Sequence, residues 1–329
     1  MKKIVSLILA LTLCLGIVFT LASCKKEKDH YVIGVIQLAP HEALDAATQG
    51  FMDTLKAKLE AEGKTVEFKY ENAQGDSNTC NTIVNSFIAA GVDLIMANAT
   101  SALAAAYNAT TTIPILGTSI TEYGVALNIE NFNGTVGGNV SGTSDLAPLD
   151  QQADMMVDTL GLKAGDVVGL LYCSSEDNSV YQVKKVKEQL GTYGIVCNEY
   201  TFADSTTIQT TVAKASGECT AIYVPTDNVA AANAEIIKNA CDIPIFAGEE
   251  GICKGCGYAT LSISYYSLGQ VTGEMAAEIL LGGAKIEDMA IRYDSAPVKK
   301  YNKAACVALG IDTSVLESKG YVMIPGTEN

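Results

Sequence analysis

DLIMANATSA (residues 93–102) is an apolar, strand-like run that leads directly into a helix, and IPILG (residues 113–117) gives the strand that follows that helix. The same arrangement returns later in the chain, where TAIYVPTDNV (residues 220–229) is followed, after a second helical stretch, by IPIFA (residues 243–247). Short apolar runs bounded by turn residues are typical of strands buried in a parallel sheet. The repetition therefore predicts two similar α/β halves, each with a strand-to-helix loop at the carboxyl end of its sheet.

Strand and helix patterns alternate in the same way along the rest of the chain. Short runs rich in β-branched residues alternate with stretches whose apolar residues recur at helical spacing. The predicted strands are 31–38, 92–97, 113–117, 166–172, 194–200 and 219–224, and helices are predicted near 44–59, 80–88, 101–109, 179–190 and 206–215. Such alternation predicts parallel sheets with helices on both faces.

Size and charge narrow the class of protein. The chain has 329 residues, 48% of them hydrophobic, which is enough for two domains. Removing residues 1–23 takes away two lysines and no acid, which leaves 20 basic and 37 acidic side chains and a net charge of −17. A surface this acidic lacks the basic patch that collects phosphates, so nucleic acid is excluded as a partner.

The first twenty-four residues have the pattern of an export signal. Lys2 and Lys3 precede an apolar run from Ile4 to Leu21, and the run ends in Leu-Ala-Ser-Cys with Cys24 last, which resembles a bacterial lipobox. The alternative, a transmembrane helix, is disfavoured because the run is barely long enough and ends at a cysteine before a charged stretch. We predict a signal peptide over 1–23, acylation of the Cys24 thiol with a palmitate-type chain, and a tether over 24–30.

Eight cysteines remain once Cys14 leaves with the signal and Cys24 is acylated. Cys253 and Cys256 have a spacing that suits a redox pair or half of a zinc site. No second pair lies near them in sequence and the chain has only two histidines, so we favour a loop pair without metal. The others lie within apolar patterns and are interpreted as small core residues: Cys80, Cys173, Cys197, Cys219, Cys241 and Cys306.

The two repeated loops predict opposite poles of a ligand site. Helix N-termini favour negative charge, so Thr100 and Ser101 suit a carboxylate, whereas Asp227 stands at the equivalent place in the second loop and suits an ammonium group. Together they fit the zwitterion of an amino acid. The alternative for Ser101 and Asp227 is helix capping alone. The alternative for Glu249 and Glu250 is that they are solvated loop charges, which would need no role in binding.

Seven segments of the chain have a distinctive sequence: 33–37, 41–45, 140–145, 176–179, 223–228, 246–250 and 263–269. The Pro-Thr-Asp-Asn and Ala-Gly-Glu-Glu blocks among them are specific. Together these segments resemble the substrate-binding lipoproteins of ABC importers that are associated with tryptophan and other aromatic amino acids. The resemblance covers nearly all of residues 31–310.

This resemblance implies the fold of type I periplasmic binding proteins, in which two Rossmann-like lobes with parallel sheets are joined by a three-crossover hinge. Lobe one would comprise 31–145 and about 265–294, and lobe two 146–264 and about 295–329. The implied ligand site between the lobes consists of Gln37, His41, Thr100, Ser101, Thr118, Ser119, Asp145, Asn178, Ser179, Thr226, Asp227, Glu250 and Tyr265. The chain departs from the family at Ser264, where many relatives carry Asp, and at Asn98–Ser101, where Ala-Thr-Pro is more usual.

The resulting prediction is a lipid-anchored solute-binding protein without cofactor or metal, held on the extracytoplasmic face of the cell membrane. It would capture an amino acid, above all tyrosine, phenylalanine or tryptophan, and deliver it to an ABC permease and ATPase. An enzyme is disfavoured because the chain has no nucleophile elbow, Walker loop, dinucleotide fingerprint or histidine cluster. A surface adhesin, a ligand sensor, or an importer for a branched-chain amino acid, a peptide or another small solute remain the alternatives.

Overall fold

A computed structural model describes residues 28–293 and 297–328. The predicted signal peptide, Cys24 and the first part of the tether lie outside the described residues. Within the described part of the chain, no helix combines the length and apolar character that a bilayer-spanning segment needs.

Six parallel strands form the first sheet, in the order β11-β5-β4-β3-β1-β2. Its central strands are buried along their whole length, whereas β2 at the edge alternates between exposed and half-buried residues. The strands are β1 His30–Gln37, β2 Thr65–Asn72, β3 Leu94–Asn98, β4 Ile115–Ile120, β5 Val140–Ser144 and β11 Arg292–Tyr293.

Seven strands form the second sheet, in the order β13-β12-β10-β9-β8-β6-β7. All neighbours are parallel except β10 and β12. The strands are β6 Val167–Cys173, β7 Val196–Phe202, β8 Ala221–Val224, β9 Ile245–Ala247, β10 Ala259–Ser262, β12 Val298–Tyr301 and β13 Val322–Met323. We call the first sheet, with the helices that pack on it, lobe one, and the second sheet with its helices lobe two.

Helices cover both faces of each sheet. A strand sends alternate side chains to opposite faces, and in β3 Leu94 and Met96 join one core cluster while Ile95 and Ala97 join another. The helices are α1 Glu42–Ala61, α2 Ser77–Ala90, α3 Thr100–Ala109, α4 Tyr123–Ala126, α5 Leu149–Leu160, α6 Asp177–Thr192, α7 Ile208–Glu218, α8 Asn228–Ala232, α9 Ala234–Asn239, α10 Glu250–Gly255, α11 Tyr265–Leu280, α12 Lys303–Leu309 and α13 Thr313–Ser318.

The chain passes between the sheets after β5, after β10 and again between β11 and β12. Residues 294–296, in the last of these connections, lie outside the described residues. The two-lobe α/β fold with parallel sheets is the one predicted. The lobe boundaries at 145, 264 and 294 stay predictions.

Helix α11 returns to lobe one and packs closely against α1 through glycines. A Cβ atom on Gly269 would lie 2.0 Å from the carbonyl oxygen of Ala47, and one on Gly50 would lie 2.1 Å from that of Tyr266. Both distances are far shorter than any real carbon contact, so the two backbones approach as closely as they do only because these positions lack side chains.

We therefore expect Gly269→Ala to reduce the free energy of unfolding by about 1–3 kcal/mol, because the added methyl group forces α1 and α11 apart. Urea unfolding measures this change. Gly217→Ala in α7 is the matched control, since a Cβ there has no atom within 4 Å. In an open helical position the same substitution should stabilise the protein by about 0.5–1 kcal/mol. Equal effects of the two substitutions would contradict the close packing.

Candidate functional site

The carboxyl ends of the strands of both lobes border one small cavity between the lobes. Helix N-termini from both lobes also meet there, because each strand runs into a helix at this edge of its sheet. The lining residues are His41, Ala43, Leu44, Ser119, Thr121, Asp145, Asn178, Thr226, Asp227, Asn228, Ala231, Glu249 and Tyr265.

Seven of the site residues predicted from the sequence lie together in this lining. They are His41, Ser119, Asp145, Asn178, Thr226, Asp227 and Tyr265.

Six other predicted residues are not part of the lining. The Gln37 amide forms its hydrogen bonds within lobe one: it donates to Ala39 O and Asp45 and accepts from Thr48. Thr118 accepts a hydrogen bond from the hydroxyl of Thr143 on the neighbouring strand.

The remaining four are placed as follows. Ser179 lies behind Thr226, with its hydroxyl 3.5 Å from the Thr226 carbonyl oxygen. Glu250 forms an ion pair with Lys300. Thr100 is half-buried at the start of α3, and Ser101 lines a separate open groove between the lobes.

Six residues of the cavity lining are not among those predicted from the sequence. Leu44 fits the apolar stripe of a helix and therefore looks like ordinary core. Glu249 was interpreted as a solvated loop charge, but it is 2% exposed and caps α10. Only the position of the helix start decides which of two adjacent glutamates turns inward. The six are Ala43, Leu44, Thr121, Asn228, Ala231 and Glu249.

Asp145 presents a free carboxylate oxygen at the cavity. The hydroxyl of Tyr265 donates to Oδ2 at 2.8 Å, whereas Oδ1 is buried without a hydrogen-bond partner. Burial raises the pKa of this carboxyl, against the opposing effects of the Tyr265 hydrogen bond and of the nearby Thr121 hydroxyl. A buried oxygen without a hydrogen-bond partner costs free energy unless a donor binds to it.

In contrast to Asp145, both carboxylate oxygens of Asp227 have hydrogen-bond partners. Its Oδ2 accepts from the Cys173 backbone N–H at 2.7 Å and its Oδ1 from that of Ala230 at 2.8 Å, so it caps α8 and ties that helix to β6. Beside it, Glu176 accepts from the backbone N–H groups of Asn228 and Val229. Burial, and secondarily the neighbouring Asp227, raises the pKa of Glu176 to about 8. Burial likewise raises the pKa of Asp227.

Two more polar atoms of the cavity lining lack partners. They are Ser119 Oγ and Asn178 Oδ1, both buried. Ser119 also has a φ of 56°, a left-handed conformation that is unusual for a serine. Strain of this kind is concentrated at functional sites.

The cavity lining is acidic. Asp145, Asp227 and Glu249 line it, and no lysine or arginine is among its described residues. Its one basic side chain is His41, whose pKa is lowered by burial, so the imidazole is neutral at neutral pH. The cavity therefore suits a ligand that brings a positive charge.

No group of three or more histidine, cysteine or acidic side chains in the described part of the chain is arranged to hold a metal ion. Cys253 and Cys256 are buried free thiols of α10 and its C-terminus, and burial raises the pKa of both. Of the six cysteines interpreted as core residues, Cys80, Cys173 and Cys306 are buried, and the others are half-buried.

The family model for ABC transporter substrate binding proteins matches residues 32–318. This chain belongs to that family. Its members are solute-binding proteins that work outside the cytoplasm with the permease and ATPase components of ABC transporters.

Two relatives from clostridia and streptococci support this assignment. A tyrosine-binding protein of Clostridioides difficile is 35% identical over 264 residues, which is 78% of this chain and 74% of the relative. The solved ABC domain of Streptococcus pneumonia in complex with L-Trp is 30% identical, with a TM-score of 0.82 over 90% of this chain and all of that chain.

A third comparison bears on the arrangement of the lobes. The ligand-free, open structure of a Clostridium difficile substrate-binding protein with adhesive properties is 32% identical and covers 89% of this chain and 99% of that chain, but its TM-score is only 0.66. The L-Trp complex has nearly the same sequence identity to this chain but superposes on it much better.

Contacts between the lobes agree with a closed arrangement of this substrate-binding protein. The imidazole of His41 lies 3.2 Å from Asn228 Oδ1, and Lys254 donates to Glu42 at 2.8 Å. Both contacts join the start of α1 in lobe one to lobe two. Of these residues, His41 and Asn228 belong to the cavity lining.

The buried acids make stability depend on pH. Burial raises the pKa of Glu249 from its ordinary value of 4.5 to about 7, so the folded state holds this proton more tightly than the unfolded state. Its stabilising contribution is complete below about pH 4.5 and is lost as the pH rises through 7.

We expect urea unfolding to show a free energy of unfolding on the order of 2 kcal/mol higher at pH 5 than at pH 8 from this group. Glu249→Gln should remove this part of the pH dependence, because glutamine has no proton to lose, while the part due to Glu176 stays. Glu250→Gln is the matched control, since it removes the same charge from the adjacent, ion-paired residue. An unchanged pH dependence in Glu249→Gln would show that other groups cause it.

Proposed function

We propose that this protein binds the zwitterion of an aromatic amino acid in the interlobe cavity and delivers it unchanged to its ABC permease. The observation that carries the proposal is the free Oδ1 of Asp145, a buried carboxyl oxygen in a lining without lysine or arginine. An ammonium group supplies the charge and the donor that this oxygen lacks. The tyrosine-binding relative and the L-Trp complex support an aromatic side chain.

The carboxylate of the ligand would bind at the start of α1. Ala43 and Leu44, in its first turn, line the cavity, and no side chain caps this helix. The first N–H groups of a helix have no partner within it, and together with the helix dipole they favour an anion. Ser119 Oγ adds a buried, unpaired hydroxyl from the end of β4. Both poles of the zwitterion would then be held by lobe one.

Isothermal titration calorimetry on refolded, ligand-stripped protein tests this proposal. We expect saturable binding of one equivalent of tyrosine or tryptophan, and no heat with sugars, nucleosides or branched-chain amino acids. Recovery of the unmodified amino acid after incubation would support binding without catalysis. Binding of another solute class with no response to aromatic amino acids would refute the proposed ligand.

We also propose that the mature protein is anchored by an acylated Cys24. The support is the charged, apolar and lipobox pattern of residues 2–24. In cells fed labelled palmitate, the wild-type chain should carry label and partition with membranes. Cys24→Ser should carry none, and Cys80→Ser is the control for nonspecific thiol labelling. Label retained in Cys24→Ser would refute the anchor.

An adhesive role is a second candidate, because one structural relative is described as having adhesive properties. Binding of the purified protein to host cells, measured with and without saturating tyrosine, tests it. Attachment that is absent under both conditions would leave solute capture as the single proposed role.

A further inference from the structure

We propose that Asn178 selects ligands whose side chain ends in a hydrogen-bond donor, such as the phenol of tyrosine or the indole N–H of tryptophan, and rejects phenylalanine. The inference rests on the proposed function and assigns a role to one residue of its site. It follows from which atoms of the cavity are already paired and which are free.

The amide of Asn178 has only one possible orientation. Its Nδ2 donates to the Thr226 carbonyl oxygen at 2.9 Å and to Glu176 Oε2 at 3.3 Å. A backbone carbonyl can only accept, so a flipped amide would set two acceptors against each other. The free atom is therefore the oxygen. Asn178 is 6% exposed and lines the cavity, and Oδ1 has no partner.

The carboxylate and amide oxygens of the other lobe-two side chains in the cavity lining are occupied. Both carboxylate oxygens of Asp227 accept backbone hydrogen bonds, and so do those of Glu249, from Gly251 and Ile252. Asn228 Oδ1 lies within hydrogen-bond distance of His41. Among the described acceptors of these lobe-two side chains, Asn178 Oδ1 is thus the one left without a donor.

Lobe one holds the zwitterion, so the side chain of the ligand faces lobe two. Asp145 follows β5 and Ser119 lies near the end of the neighbouring strand β4, and Ala43 and Leu44 lie in the first turn of α1. The ammonium and carboxylate groups of an amino acid share one carbon atom and must bind close together. The ring then extends toward α6 of lobe two, where Asn178 is the second residue.

Closure of the lobes removes water from Asn178 Oδ1. A ring that carries a donor replaces that water, whereas phenylalanine leaves the oxygen buried and unpaired. A missing partner of this kind corresponds to about 10- to 100-fold in affinity. We therefore expect tyrosine and tryptophan to bind about 10- to 100-fold more tightly than phenylalanine.

Calorimetry with a ligand series on the unaltered protein is the first test. Phenylalanine carrying an amino group at the ring 4-position keeps a donor and should bind within about threefold of tyrosine, because its donor satisfies the same oxygen. The 4-fluoro compound is similar in size but cannot donate, and it should bind as weakly as phenylalanine. Equal affinities of tyrosine, phenylalanine and the 4-fluoro compound would overturn the inference and leave the proposed function standing.

The second test is the affinity ratio of tyrosine to phenylalanine in variants. Asn178→Ala should bring the ratio to within about threefold, mainly by improving the relative binding of phenylalanine, because no unpaired acceptor remains. Gln182→Ala is the matched control: Gln182 also donates to Thr226 O, at 3.1 Å, but does not line the cavity. It should keep the wild-type ratio.

The outcomes separate the two proposals. A preference for donor-bearing rings that persists in Asn178→Ala would overturn the role of Asn178. If Asn178→Ala fails to fold, the ligand series and the smaller change Asn178→Ser decide, since both report a ratio that a general loss of stability does not alter. No binding of any aromatic amino acid to the wild-type protein would overturn the proposed function itself.

Discussion

Asp145→Asn should weaken the binding of tyrosine by about 100- to 4,000-fold, because removing one partner of a buried charge pair costs about 3–5 kcal/mol. Asparagine has the same shape, and its oxygen can still accept from the Tyr265 hydroxyl. Its NH₂ group would then occupy the position of the free Oδ1 and face the ammonium group of the ligand, donor against donor. Isothermal titration calorimetry measures the loss.

Asp204→Asn is the matched control for this prediction. Asp204 is an exposed acid at the open groove between the lobes, so its removal changes the net charge by the same amount without touching the cavity lining. We expect its affinity for tyrosine to stay within about twofold of wild type, since exposed charges are screened by salt. Equal losses in the two variants would mean that the overall acidity of the protein, and no specific contact of Asp145, attracts the ligand.

Asp227→Ala should act mainly on folding, with a loss of about 3–4 kcal/mol in the free energy of unfolding. The substitution leaves the N–H groups of Cys173 and Ala230 buried without acceptors, and each such group costs about 1–3 kcal/mol. Urea unfolding of the ligand-free protein measures this effect.

The comparison with Asp145 separates the two candidate ammonium partners. Asp227→Asn keeps an oxygen for one of the two backbone donors and carries no charge, so it should recover part of the stability lost in Asp227→Ala. If Asp227→Asn instead abolished tyrosine binding while Asp145→Asn did not, the ammonium group would belong at Asp227, as the sequence first suggested.

The two-lobe fold could be predicted from the sequence because buried parallel strands are apolar and separated by amphipathic helices. Strands predicted at 92–97 and 113–117 lie at Leu94–Asn98 and Ile115–Ile120. Strand β5, Val-Ser-Gly-Thr-Ser, has no apolar pattern, because its buried hydroxyls are paired. Ser141 donates to the carbonyl oxygen of Met289, and Thr143 contacts Thr272.

The candidate site was less accessible to sequence reasoning, for a physical reason. A polar residue after a strand can cap a helix, bind a ligand or do both, and only its hydrogen bonds distinguish these roles. Both carboxylate oxygens of Asp227 accept hydrogen bonds from backbone N–H groups, whereas one oxygen of Asp145 has no hydrogen-bond partner. For the same reason, the sequence does not show that Glu249, and not the adjacent Glu250, lines the cavity. Chain spacing alone carries no information about such pairing.

The position of the ligand can be seen in a crystal structure of the protein grown with L-tyrosine. We expect tyrosine between the lobes, with its ammonium nitrogen within hydrogen-bond distance of Asp145 Oδ1 and its carboxylate at the first turn of α1. A ligand bound outside the interlobe cavity, or one that lies there with its carboxylate toward Asp145, would contradict it.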